Sequence, residues 1–186
     1  DTGTTEHTTS FAAGTSDQII AFAGWAHNSA ARTATQTWNG VAMLQVGTAS
    51  YTSTAFTGIL ITVWDTAVQG AYPSGTHNLG TTMSANCDNM IQGIISVSGA
   101  AATQTFSGAD SNFAQGTPTG GGNTPQPSAT VTGVTDGLIF GMGVADESTS
   151  GNLTSGETIQ FSQSGTTNLN LRVVAVSSTT VGSDTL

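Results

Sequence analysis

The run QIIAFAGWAH, residues 18–27, decides the fold class. Ile19, Ile20, Ala21, Phe22, Ala23, Trp25 and Ala26 make it apolar at odd and even positions alike, so neither face of a strand built from it could stay in water. A strand of that kind lies in the middle of a sheet with protein on both sides. Residues 56–65 (FTGILITVWD) and 90–98 (MIQGIISVS) read as further core strands, as do 138–145 (LIFGMGVA) and 169–176 (LNLRVVAV). No window of about 12 residues carries an apolar stripe at helical spacing among helix formers.

Turn chemistry separates these runs. Asn39-Gly40 stands between residues 34–38 and 41–46. That dipeptide signals a two-residue hairpin, because both central residues of a type I′ turn need positive φ. Tyr72-Pro73-Ser74-Gly75 is a second turn, followed by a polar strand over 76–83. Asp136-Gly137 is another hairpin-type dipeptide, between 129–134 and 138–145. Residues 4–11 read as a polar edge strand, and 157–163 adds one more strand. The sum is an all-β chain of about ten strands: one domain over 1–186, a two-sheet antiparallel β-sandwich of jelly-roll or immunoglobulin-like topology. Pairing of the first strands with the last would bring both termini to one edge.

The composition narrows the partners. Hydrophobic residues are 37% of the chain, enough for a core. Only 7% are charged, against about 25% in an average domain. There is no lysine, Arg32 and Arg172 are the only arginines, and the formal net charge is -9. That excludes a basic face tracking phosphates, so nucleic acid is not an expected partner. It also argues against an anionic membrane surface, and no apolar run approaches the roughly 18 residues of a membrane helix. Threonine takes the place of charge, with 34 of 186 residues. A hydroxyl-covered, lysine-free surface suits an extracellular or particle-surface protein. Nothing at the start of the sequence reads as a signal peptide.

Groups that could do chemistry are sparse. His7, His27 and His77 lie in different strands without H-x-H or H-E-x-x-H spacing, so no zinc site is expected. His27 closes the core strand as a rim residue. Cys87 is alone and reads as a small buried side chain. No G-x-S-x-G or paired-carboxylate arrangement points to a hydrolase, and no cofactor motif is present. Asp146-Glu147, at the end of a core strand, is an acidic pair that reads first as a solvated strand end and second as a calcium ligand pair. Asn152-Leu153-Thr154 is an N-glycosylation sequon. Trp25 and Trp64 sit in apolar strands and belong to the core. Trp38 precedes the Asn39-Gly40 turn, where an open ring could stack on a sugar.

Residues 99–128 differ in character, with Gly120-Gly121-Gly122, Pro118, Pro125 and Pro127. The segment is far longer than the 2–5 residues of a common hairpin loop. Its few large side chains are chiefly Phe106 and Phe113. It reads either as a loose surface loop or as an arm that contacts neighbouring subunits, with Phe106, Phe113, Pro118, Pro125 and Pro127 as the contact residues.

The order of these motifs resembles a β-sandwich domain of tailed-phage virion proteins and bacterial surface proteins. The resemblance runs through Ser16-Asp17-Gln18-Ile19-Ile20, Thr37-Trp38-Asn39-Gly40-Val41-Ala42-Met43, Pro73-Ser74-Gly75-Thr76-His77 and Ile94-Ile95-Ser96-Val97-Ser98-Gly99. It continues through Gly108-Ala109-Asp110, Thr117-Pro118 and Thr130-Val131-Thr132 with Gly137-Leu138-Ile139. It covers nearly the whole chain with turn and core signatures and carries over no catalytic residue. It implies a non-enzymatic virion structural protein, a capsid decoration (cement) or other outer component. The implied location is the virion surface. The implied partners are further copies of the chain and a major capsid or other virion protein. The alternatives are a glycan-binding or adhesin domain of a tail fibre or cell surface, and an extracellular filament subunit.

Overall fold

A computed structural model describes residues 6–14, 17–27, 30–52, 56–98, 130–134, 137–146, 158–164, 169–178 and 182–185. The core strand of the sequence becomes β2 (Asp17–His27). It pairs antiparallel with β6 (Phe56–Val63) on one side and β8 (Asn89–Ser98) on the other. β5 (Leu44–Thr52) adds to β6, giving the sheet β5-β6-β2-β8. A second antiparallel sheet, β1-β7-β3-β4, consists of β1 (Glu6–Ala13), β7 (Gly75–Met83), β3 (Ala34–Trp38) and β4 (Val41–Ala42). The only helix among the described residues is the single turn α1 (Thr66–Gln69).

The odd residues of β2 face the second sheet. Ile19 and Ala21 pack with Trp38, Met43, Trp64 and Leu79. Ala23 and Trp25 pack with Ala34, Leu60, Met83, Cys87 and Met90. The even residues Ile20, Phe22 and Ala26 form another buried cluster with Val63 and Ile91. That opposite face is covered by a further sheet, β10-β12-β11, built from β10 (Gly137–Asp146), β12 (Leu169–Ser178) and β11 (Thr158–Ser164). β10 lies against β6 and β2, and β12 against β2 and β8. The all-apolar run therefore has protein on both faces, as its composition requires. Full burial of one such side chain is worth roughly 1.5–3 kcal/mol, and Phe22 is completely buried.

The Asn39-Gly40 turn forms as the dipeptide predicts, with φ of 50° and 77°. The expected single strand over 41–46 instead breaks at buried Met43. Its first part is β4 in one sheet and the remainder opens β5 in the other, so the chain changes sheets here. A bulge between Gln45 and Gly47 follows.

Two expectations are corrected. β9 (Thr130–Val134) and β10 do not pair across Asp136-Gly137, because β9 pairs with β13 (Gly182–Thr185) and β10 with β12. Nor do the first strands pair with the last: β1 pairs with β7. Thirteen strands stand among the described residues, against about ten expected from eleven strand-like runs of sequence. The difference comes from the β4/β5 break and from β13, whose sequence is too polar to stand out. The sheet neighbours β2-β6-β5 and β7-β3 repeat the B-E-D and F-C order of an immunoglobulin-type sandwich. β1 and β8 exchange the places that the first and last strands hold in that order.

Candidate functional site

The densest group of ionisable side chains among the described residues lies at one rim of the sandwich. It forms where the connection from β2 to β3 meets the connection from β7 to β8. Two backbone contacts close that junction: Ser84 N donates to Thr33 O at 2.9 Å, and Asp88 N to Ala26 O at 3.0 Å. Arg32 spans it. Its Nε donates to Asn86 O at 3.0 Å and its Nη1 to Ala31 O at 3.1 Å. Its Nη2 lies 2.8 Å from His27 Nε2. A guanidinium is always a donor, so His27 Nε2 accepts and the imidazole proton belongs on Nδ1. Nδ1 lies 3.1 Å from an oxygen of Asp88.

Asp88, His27 and Arg32 thus form a line of three. A hydrolase of this design would place its nucleophile where Arg32 stands. Here the basic nitrogen of His27 already holds the guanidinium. Cys87, next in sequence to Asp88, is buried with Trp25 and Met90, and burial pushes its thiol pKa up. A protonated, enclosed thiol is a poor nucleophile. The arrangement ties two loops together, using one of the two cations in the chain. Sequence reasoning placed His27 at the rim but missed Arg32; the rarity of arginine in this chain was the available signal.

The other histidines have separate partners. His7 Nε2 lies 3.1 Å from Thr9 Oγ1, and desolvation lowers its pKa. His77 Nε2 lies 2.8 Å from Ser74 O and donates to it. The His77 ring meets Trp38 edge to face at 5.6 Å. No group of three or more His, Cys, Asp or Glu that could hold a metal occurs among the described residues.

Trp38 is not an open platform. It is completely buried, and its indole Nε1 donates to Pro73 O at 3.4 Å. The strand alternation that buries Ala34 and Gln36 carries Trp38 inward with them, so a sugar has no face of this ring to stack on. Trp25 and Trp64 are buried as expected. Phe106, Phe113, Pro118, Pro125, Pro127, Glu147 and the Asn152-Leu153-Thr154 sequon lie outside the described residues. Asp146 is the last residue of β10.

A second polar constellation, invisible in the sequence, runs through the interior between the two four-stranded sheets. Thr62 Oγ1 donates to Gln36 Oε1 at 2.7 Å, and Gln36 Nε2 to Thr81 Oγ1 at 3.1 Å. Thr81 Oγ1 donates to Gln92 Oε1. Gln92 Nε2 reaches Thr9 Oγ1 and Leu79 O, both at 3.2 Å. Each donor in the chain meets an acceptor, as buried polar groups must. The network joins β3 and β7 of one sheet to β6 and β8 of the other.

The described surface is otherwise quiet. Its exposed large hydrophobic residues are Val41, beside the Asn39-Gly40 turn, and Val68 on α1. Gln69 Nε2 donates to Ala42 O at 2.7 Å and joins these two segments. No described helix is long and apolar enough to cross a membrane. No family model, curated protein or solved structure matches the chain.

Proposed function

We propose that this chain is a non-enzymatic structural protein of a virus particle, an outer component that binds a repeating protein lattice and stabilises it. A capsid decoration protein of a tailed phage is the specific form of this reading. The observation that carries it is a β-sandwich with almost no mobile positive charge. The chain has two arginines and no lysine, and Arg32 is engaged in holding two loops. Such a surface meets a partner through hydroxyl, amide and apolar contacts and gives little nonspecific attraction to nucleic acid or anionic lipid. The closed Asp88–His27–Arg32 line supports a structural role over a catalytic one. The motif order quoted above supports the virion setting, with the 99–128 segment as the arm that grips the lattice.

The test uses purified tailed-phage particles from the source of the chain and an antibody raised against it. The reading expects the chain in the intact particle at a fixed ratio to the major capsid protein, with label on the outer surface. It also expects deletion of residues 116–126 to leave the sandwich folded by circular dichroism while weakening its rebinding to stripped particles. Absence of the chain from purified particles would end the proposal.

A further inference from the structure

The rim junction holds one contact that depends on a proton. Arg32 Nη2 stands 2.8 Å from His27 Nε2. A guanidinium only donates, and it stays charged at every pH a folded protein meets. The contact therefore exists only while Nε2 accepts, which requires a neutral imidazole. With a proton on Nε2, two N–H groups and two positive charges would face each other. Histidine is the side chain that ordinarily changes charge between about pH 5 and 8. The same guanidinium donates from Nε to Asn86 O at 3.0 Å and from Nη1 to Ala31 O at 3.1 Å. Whatever drives Arg32 from the ring therefore also draws on its hold over the β7–β8 connection. Next to it the two connections meet in a reciprocal pair: Ser84 N donates to Thr33 O at 2.9 Å, and Thr33 N to Ser84 Oγ at 3.1 Å.

We infer that protonation of His27 releases Arg32 and parts Thr33 from Ser84, making this rim a proton-operated latch between the β2–β3 and β7–β8 connections. The reading stands apart from any role in a particle. The charged neighbours of His27 set the balance. Arg32 is the only titratable residue of the connection 28–33, and Cys87 and Asp88 are those of 84–88. β3, β6 and β8 carry none. β7 carries His77, far from the junction beside Trp38, and β1 carries Glu6 and His7, opposite Thr82 and Thr81. Asp146 and Arg172 belong to the sheet on the other face of β2. Burial raises the Cys87 thiol, which stays neutral in acid, and the charges acting on it are those of the amino terminus, Asp88 and Arg32. Asp88 is thus the carboxylate that meets the imidazolium, through Nδ1 at 3.1 Å. Its side chain is 41% exposed against 14% for His27, so water screens its attraction. Release is accordingly one-sided. The imidazolium keeps Asp88, whose N–H stays on Ala26 O, while the Arg32 side lets go.

Amide hydrogen exchange of the full chain between about pH 7.5 and 5, referred to each amide's intrinsic rate, tests the latch. In the wild type, protection of the Ser84 amide should fall several-fold on acidification. The Asp88 amide, and the Asn39 amide bonded to Asn78 O away from the rim, should keep theirs. His27→Gln offers Arg32 an acceptor that does not titrate, so Ser84 should stay protected across the range. His7→Gln should respond as the wild type does. The nitrogen-15 signal of His27 Nε2 in the wild type should pass from unprotonated to protonated over the same pH interval, a readout that needs no variant. Ser84 protection that holds in acid overturns the inference. So does a loss shared equally by His27→Gln or by the Asn39 amide, a loss abolished by His7→Gln, or one that does not track the His27 signal.

Discussion

A methyl group at residue 58 has no room. Gly58 lies directly opposite Trp25 across the β6–β2 ladder. A Cβ there would sit 2.4 Å from Trp25 Cε2 and Cζ2, well inside van der Waals contact. Trp25 is 3% exposed and cannot swing into solvent without opening its cluster. Gly58→Ala should therefore cost about 1–3 kcal/mol, the range for overpacking a tight core. Urea denaturation reads it as a lower midpoint with unchanged slope, and an unchanged midpoint would mean the ring is not held there. A second residue-scale effect follows from His7. Desolvation lowers its folded pKa below the reference 6.5. The unfolded chain then binds the proton more readily, so His7 contributes stability above pH 6.5 that is lost as pH falls toward the folded pKa. Melting temperatures at neutral pH and at about pH 5 should differ more for wild type than for His7→Gln. Equal differences would place His7 in water. At this scale the sequence was least legible. Trp38 looked available because it precedes a turn, and nothing in the sequence marked Gln36 as a core residue. Both obey the alternation of β3, which points Ala34, Gln36 and Trp38 into the core. Gln36 is tolerated there only because Thr62 and Thr81, from distant parts of the chain, satisfy its amide.

Elements were more legible than residues where the signal is local. Asn39-Gly40 demanded positive φ at two successive positions, and the chain adopts it. The backbone N–H of Asn39 also donates to Asn78 O at 3.0 Å, so the turn is tied to β7. Gly40 has open space around its would-be Cβ, so a substitution there tests conformation alone. Gly40→Val should cost about 1–3 kcal/mol, since a β-branched residue resists φ of 77°. Gly40→Asn, which tolerates that region, should recover much of the loss. Thermal melts of the three proteins separate the cases, and a Gly40→Val protein as stable as wild type would contradict the turn. Asp136-Gly137 shows the limit of the same logic. A turn dipeptide can reverse the chain, but the pairing of the strands beside it depends on which distant partner each strand finds. Here β9 takes β13 and β10 takes β12. The β4/β5 break was hidden for a similar reason, since a strand that changes sheets keeps an ordinary strand composition.

For the whole molecule, the layering was written in β2 and the order of strands was not. Ten successive positions without a polar face require protein above and below, and both covers exist. Which strands supply them depends on contacts between residues far apart in sequence, which periodicity does not encode. Charge is the other property of the whole molecule that composition alone determines. At -9 with two arginines, the chain has too few cations for an interface held by ion pairs between its own copies. Raising salt from about 0.01 M to about 1 M shortens the Debye length from roughly 30 Å to 3 Å. That removes the repulsion between two acidic copies and leaves hydrogen-bonded and apolar contacts in place. Self-association should therefore tighten, or hold constant, as sodium chloride is raised, and analytical ultracentrifugation at the two ends of the range reads it directly. An interface made of salt bridges behaves in the opposite way. A dissociation constant that rose with salt would show that the few cations carry the contact, and would direct the search to the surroundings of Arg32 and Arg172.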